Sequence, residues 1–150
     1  MKSITDPRVA EELVGRLEAL RPDSPRHWGT LTPAEMLCHL GDAAEGVLTR
    51  RAPTAQRGNR ILRWFALWSG LPWPKGKLQT HARVDPRREG TKPGDFEQDR
   101  ARVILGVRNL AAAGDGDLAP THMNFGPMRP ADWHRWAWLH IDHHLRQFGL

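Results

Sequence analysis

The sequence predicts an all-α protein, an antiparallel helical bundle of four long helices with one extra short helix and a long basic loop. Three observations carry that reading. Apolar residues recur at helical spacing in separate stretches of the chain. Helix-start signals stand in front of three of these stretches, at Asp6-Pro7, at Thr32-Pro33-Ala34-Glu35 and at Asp95 to Gln98. No segment sustains the alternation of two that a half-buried strand needs. With 150 residues, 39% apolar and 26% charged, the chain suits one domain over 1–150 with a core of its own.

The first helix is expected from Pro7 to about Leu20, capped by Asp6, with Val9, Leu13, Leu17 and Leu20 as its buried stripe. The second carries the best start signal. The Thr32 hydroxyl can take one free backbone N–H while Glu35 reaches back to another, and Pro33 suits the first helical position. Met36, Leu40, Ala43 and Val47 form its stripe, with His39 on the edge of it and Cys38 expected to face away. After a loop bracketed by Pro53 and Gly58, a short third helix is expected from Asn59 to about Ser69. The run Leu71-Pro72-Trp73-Pro74-Lys75-Gly76-Lys77 then breaks regular structure, and an extended basic loop follows to Lys92. A fourth helix begins at Asp95 and buries Phe96, Val103, Ile104, Val107, Leu110 and Ala111, stopping at Gly114-Asp115-Gly116-Asp117. Thr121 to Pro127 reads as a loop. The last helix starts near Pro130 and runs to Phe148, with Arg129 a weak cap and Asp132 favourable to the helix dipole.

Composition narrows the function classes. The single cysteine, Cys38, excludes an intramolecular disulfide and any multi-cysteine zinc motif. No stretch reaches the length of a membrane span, and residues 1–7 lack the apolar run of a signal peptide, so a soluble, cytoplasmic protein is expected. Charge is uneven: from Arg50 to Lys92 there are eleven Lys and Arg against Asp85 and Glu89. Such a patch can attract nucleic acid or an anionic small molecule, although no nucleic-acid motif accompanies it and a solvated surface is the simpler reading. Arg57, Arg60 and Arg63 share one side of the short helix, where an anionic cosubstrate could dock. Seven tryptophans against no tyrosine suggest aromatic-lined clefts or a subunit contact, and a homodimer is one expectation.

The chemistry concentrates in the last helix. Three of eight histidines fall in Leu139-His140-Ile141-Asp142-His143-His144-Leu145. His140 and His144, four residues apart, lie about 40° apart on one face, close enough for two imidazoles to reach one metal ion. That face also carries Trp133, Trp136, Ala137, Gln147 and Phe148, so it should point inward, and buried histidines need polar partners. A metal with a third ligand from elsewhere satisfies them; so would hydrogen bonds to backbone or carboxylates. His143 is turned about 100° from His144, and Asp142 is expected on the solvated side.

Phe125-Gly126-Pro127-Met128, Trp133 and the terminal His140-Ile141-Asp142-His143-His144-Leu145-Arg146-Gln147-Phe148-Gly149 resemble the DinB-like metalloprotein superfamily. More narrowly they resemble a bacterial branch ending in H-x-x-H-H-L-x-Q-F-G. Trp28-Gly29, Met36-Leu37-Cys38-His39-Leu40, Leu71 to Gly76 and Gly94-Asp95-Phe96-Glu97 extend the resemblance over nearly the whole chain. His122-Met123 and Arg129 depart from the branch, which has proline and a Thr or Ser cap there. The resemblance implies a four-helix bundle and one divalent ion held by three histidines, which fall here on His39, His140 and His144. Members of the superfamily include thiol-dependent transferases and isomerases; through a metal-bound thiolate or water, the expected activity here is a thiol-dependent transferase or a metal-dependent hydrolase, with a small molecule or low-molecular-weight thiol as substrate. Zinc is the first expectation, with nickel and iron also suited to imidazole. His122, Asn124 and Gln147 are the candidates for substrate binding or proton transfer. The competing expectations are a metal-binding stress or interaction bundle without catalysis, and, with least support, a nucleic-acid binder working through residues 50–92.

Overall fold

The structure is a computed structural model, and it describes residues 1–52, 58–76 and 80–150. Pro53, Arg57 and Lys77, which entered the sequence reading, lie outside the described residues. The described chain is predominantly helical, with α1 (Pro7–Ala19), α2 (Pro33–Leu48), α3 (Arg60–Trp68), α4 (Phe96–Ala112) and α5 (Pro130–Leu145). A two-stranded ladder, β1 (Thr121–His122) on β2 (Gly126–Pro127), precedes α5.

Each long helix starts where its sequence says. The Asp6 carboxylate accepts the Arg8 N–H at 3.0 Å, and the Asp95 carboxylate accepts the Gln98 N–H at 2.9 Å. At α2 both halves of the capping box form: Thr32 Oγ1 accepts from the Glu35 N–H at 3.2 Å, and Glu35 accepts from the Thr32 N–H at 2.8 Å. Arg129 offers α5 no oxygen, so the Asp132 carboxylate supplies one and accepts the Arg129 N–H at 3.1 Å.

The core lies where α1, α2, α4 and α5 meet, around Leu13, Leu17, Leu37, Val107, Trp133 and Leu145. The α2–α4 contact is the most extensive. Gly106 permits it: a Cβ there would stand 2.9 Å from the Ala44 Cβ, too close for two carbons.

Three sequence expectations change. Cys38 does not face solvent. It is 1% exposed against α4, with Sγ 3.7 Å from Asp99, because α2 is covered on more than one side and a single-stripe reading fails for it. Asp142 is not on a solvated side either, since the C-terminal half of α5 runs beside α1 and Arg16 donates to Asp142 at 2.8 Å. Thr121 to Pro127 is a short hairpin rather than plain loop, with two-residue strands too short to leave an alternating pattern. In α3 only Leu67 is fully buried, while Ile61, Leu62, Trp64 and Phe65 stay exposed.

The basic loop is partly tied down. Arg87 forms a two-nitrogen pair with Glu35, and the Thr91 N–H and hydroxyl both bind Asp42 at 2.7 Å. These contacts hold residues 82–91 against α2, which places the carbonyl of Val84 beside His39. Among the described residues no helix is long and apolar enough to cross a membrane.

Candidate metal centre

Two elements bring the histidines together. The mid-section of α2 delivers His39, and successive turns of α5 deliver His140 and His144. All three are buried, between 5% and 9% exposed. One ring nitrogen from each lies within 4.8 Å of the others, and His39 Nε2 stands 3.0 Å from His140 Nε2. Three imidazole nitrogens around one tetrahedral ion stand about 3.3 Å apart, for metal–nitrogen bonds of about 2.0–2.1 Å. The cluster is therefore at ligating scale, and these three side chains could hold a metal ion.

Hydrogen bonds fix which nitrogen is free. His39 Nδ1 lies 2.7 Å from the Val84 carbonyl oxygen, an acceptor only, so Nδ1 carries the proton and Nε2 presents a lone pair. His144 Nδ1 likewise donates to Gln147 Oε1 at 3.2 Å, which frees its Nε2. His140 has no such tether; its ring stacks on Trp136, with centroids 4.6 Å apart and planes 28° apart. Burial lowers the pKa of all three rings, against the Val84 carbonyl, Asp42 and Asp85 at His39, and takes His140 and His144 far below the ordinary histidine value, where repulsion from the neighbouring histidines acts in the same direction. They are neutral at pH 7, the form that ligates metal.

Around the cluster the wall is aromatic. Trp73 lies 6.2 Å from His140, and Trp28 packs edge-on against His143 at 4.8 Å. His143 stands beside the triad, not in it, and burial, with Arg146 nearby, pushes its pKa down to about 4. Of the three other candidates, only Gln147 reaches the histidines. His122 stacks on Phe125 and lies 5.7 Å from Trp136, the ring that stacks on His140. Its Nδ1 accepts the Asn124 N–H at 3.1 Å, and burial pushes its pKa to about 4. Asn124 is exposed, and its carbonyl accepts the Asn59 N–H at 3.2 Å, a contact between loops.

Two contributors escaped the sequence reading. The Val84 carbonyl carries no side-chain signature at all. Gly29 does carry one, in the Trp28-Gly29 pair: its φ is +85°, and a Cβ there would stand 2.9 Å from the Gln147 amide nitrogen, so this glycine makes room for the His144 tether.

A family model described as "Protein of unknown function (DUF1569)" matches residues 75–149. The matched half contains Val84, His122, Trp136, His140, His144 and Gln147, and it leaves Trp28, His39 and Trp73 outside. No curated protein and no solved structure matches the chain.

Proposed function

We propose that this chain, which belongs to the DUF1569 family, binds one divalent metal ion, zinc in the first place, through His39, His140 and His144. In this reading α1, α2, α4 and α5 form a DinB-like four-helix bundle with the ion between α2 and α5. The observation that carries it is the convergence of three neutral imidazoles, two of them tethered at Nδ1 so that Nε2 is left free. Imidazole suits zinc, and nickel and iron after it. Three protein ligands rather than four is the pattern of a catalytic ion, which keeps a position for substrate.

Bound there, the ion supplies Lewis acidity to a water or a thiol. The reading is thus a thiol-dependent transferase or a metal-dependent hydrolase acting on a small molecule. The chain's own residues orient the ligands through Val84 and Gln147, and the walls of Trp28, Trp73 and Trp136 exclude bulk water. One observation favours a second reading, a metal-binding bundle without catalysis. Asn124 is exposed and His122 packs on Phe125 and Trp136, so of the candidates Gln147 alone hydrogen-bonds a member of the triad.

Metal analysis of protein purified without a nickel column tests the core of the proposal. One ion per chain is expected, lost in His140→Ala and His144→Ala. A wild type that is folded and takes up no zinc on titration overturns it. Thiol-dependent turnover of an electrophile, abolished in the same variants, selects the transferase; bound metal without turnover on a broad panel selects the second reading.

A further inference from the structure

The opposite side of α5 carries a second, separate feature. A cavity of about 150 Å³ lies between residues 70–73 and α5. Arg135, Trp138, Asp142 and Arg146 line it from one face of the helix, within about 60° of Arg135. His140 and His144 point about 140° and 180° away from Arg135, so the cavity and the histidine cluster sit on different sides of the same helix.

Two groups in this wall are left incomplete. Arg135 is 6% exposed, yet no ion pair balances its charge among the described residues. Its Nε donates to the Leu67 carbonyl at 2.9 Å and its Nη1 to the Lys2 carbonyl at 2.7 Å, while Nη2 makes no hydrogen bond there. Asp142 acts on this charge from a distance but makes no ion pair with Arg135: it pairs with Arg16 at 2.8 Å and stands 3.7 Å from Arg146. Beside it, the indole Nε1 of Trp138 is the one sealed side-chain nitrogen or oxygen without an acceptor among the described residues. Arg135 stacks over the Trp138 ring at 4.6 Å; Lys2 lies over it at 5.8 Å, with its charge paired to Glu12 at 2.7 Å. A buried guanidinium with no ion pair and a free Nη2 is short of an anionic partner.

We propose that this cavity binds a small oxyanion, a carboxylate or phosphate group. The guanidinium of Arg135 supplies the central charge and Arg146 the charge at the rim, with the Trp138 ring as part of the wall. The volume admits one such group. Trp73 and His143 form the shared partition with the histidine cluster, and the proposal does not depend on a metal being bound there.

The test is a titration of EDTA-treated protein with sodium phosphate and, separately, sodium acetate at constant ionic strength, followed by the indole N–H signals in a ¹H–¹⁵N spectrum. Trp138→Phe identifies the relevant signal, because it deletes one of seven and keeps the ring beneath Arg135. A saturable displacement of that signal is expected, and the probe that saturates at lower concentration assigns the carboxylate or phosphate class. Arg146→Gln, a change at a half-exposed rim position, should weaken binding at least about tenfold, the loss of one charge-assisted contact. His140→Ala should bind as wild type does. A displacement that never saturates, that persists equally in Arg146→Gln, or that disappears in His140→Ala overturns the proposal.

Discussion

Gln147 decides which nitrogen His144 presents to the cluster. Its Oε1 accepts the Nδ1 proton, and Gly29 clears the space its amide occupies. Removing the acceptor lets the imidazole rotate or change tautomer, and loss of such an outer partner typically weakens metal binding about 10- to 100-fold. Gln147→Ala should therefore weaken zinc affinity by that factor, measured by competition with a chromophoric chelator. Gly29→Ala should do the same from the other side, because its Cβ displaces the Gln147 amide and its φ is strained for alanine. Affinities equal to wild type in both would show that the tether is incidental. Cys38 gives a contrasting prediction. Burial, reinforced by the Asp99 carboxylate, pushes its thiol up to about 12, so almost no thiolate exists at pH 8. A disulfide reagent should label it only as fast as the protein unfolds; rapid labelling of the native state would mean that the α2–α4 seam opens. Helical spacing marked His140, His144 and Gln147, because side chains on one face leave a pattern, while His39 was marked as the third ligand by the family resemblance. The same spacing misplaced Cys38 because a stripe on one face says nothing about what covers the others.

At the scale of elements, the start of α2 is both a cap and an acid-sensitive lock. Arg87 and the Thr32 N–H hold the Glu35 carboxyl down to about 2, below its ordinary value of 4.5. Folding thus favours the charged form: its contribution is full above about pH 4.5 and is lost as pH falls toward 2. Glu35→Gln should be less stable than wild type at pH 7, with the gap closing across that acid window in urea titrations. A gap independent of pH would remove the ion pair as its cause. α3 separates pattern from packing in the same way. Its apolar residues are numerous, yet Leu67 alone is sealed, at 1% exposed, while Phe65 is 52% exposed. Leu67→Ala should cost about 2–5 kcal/mol and Phe65→Ser less than about 0.5 kcal/mol. Equal costs would place both faces of α3 in packing contact. Local signals made helix starts legible here, since Asp6, Thr32, Asn59 and Asp95 act on N–H groups two or three residues away. Which face meets which neighbour depends on partners distant in the chain.

For the whole molecule, that distance is what the histidine cluster bridges. His39 and His140 are 101 residues apart, and α2 shares a much thinner interface with α5 than with α4. The predominance of helix was legible because each helix is local. The Val84 carbonyl against His39 was not, because that contact exists only after Glu35 and Asp42 have anchored the basic loop. An ion held by His39, His140 and His144 would join α2 to α5 directly, and binding to the folded form alone adds about 2.7 kcal/mol at free metal one hundred times Kd. For a chain of this length that corresponds to a rise in Tm of about 5–10 °C. Zinc should produce this rise in EDTA-treated wild type, in differential scanning calorimetry, and chelation should reverse it. His39→Ala should abolish the rise although the α5 pair is intact, because two ligands on one helix leave α2 unattached. If His39→Ala is stabilised by zinc as much as wild type is, the ion sits on α5 alone and the link between the two helices is refuted.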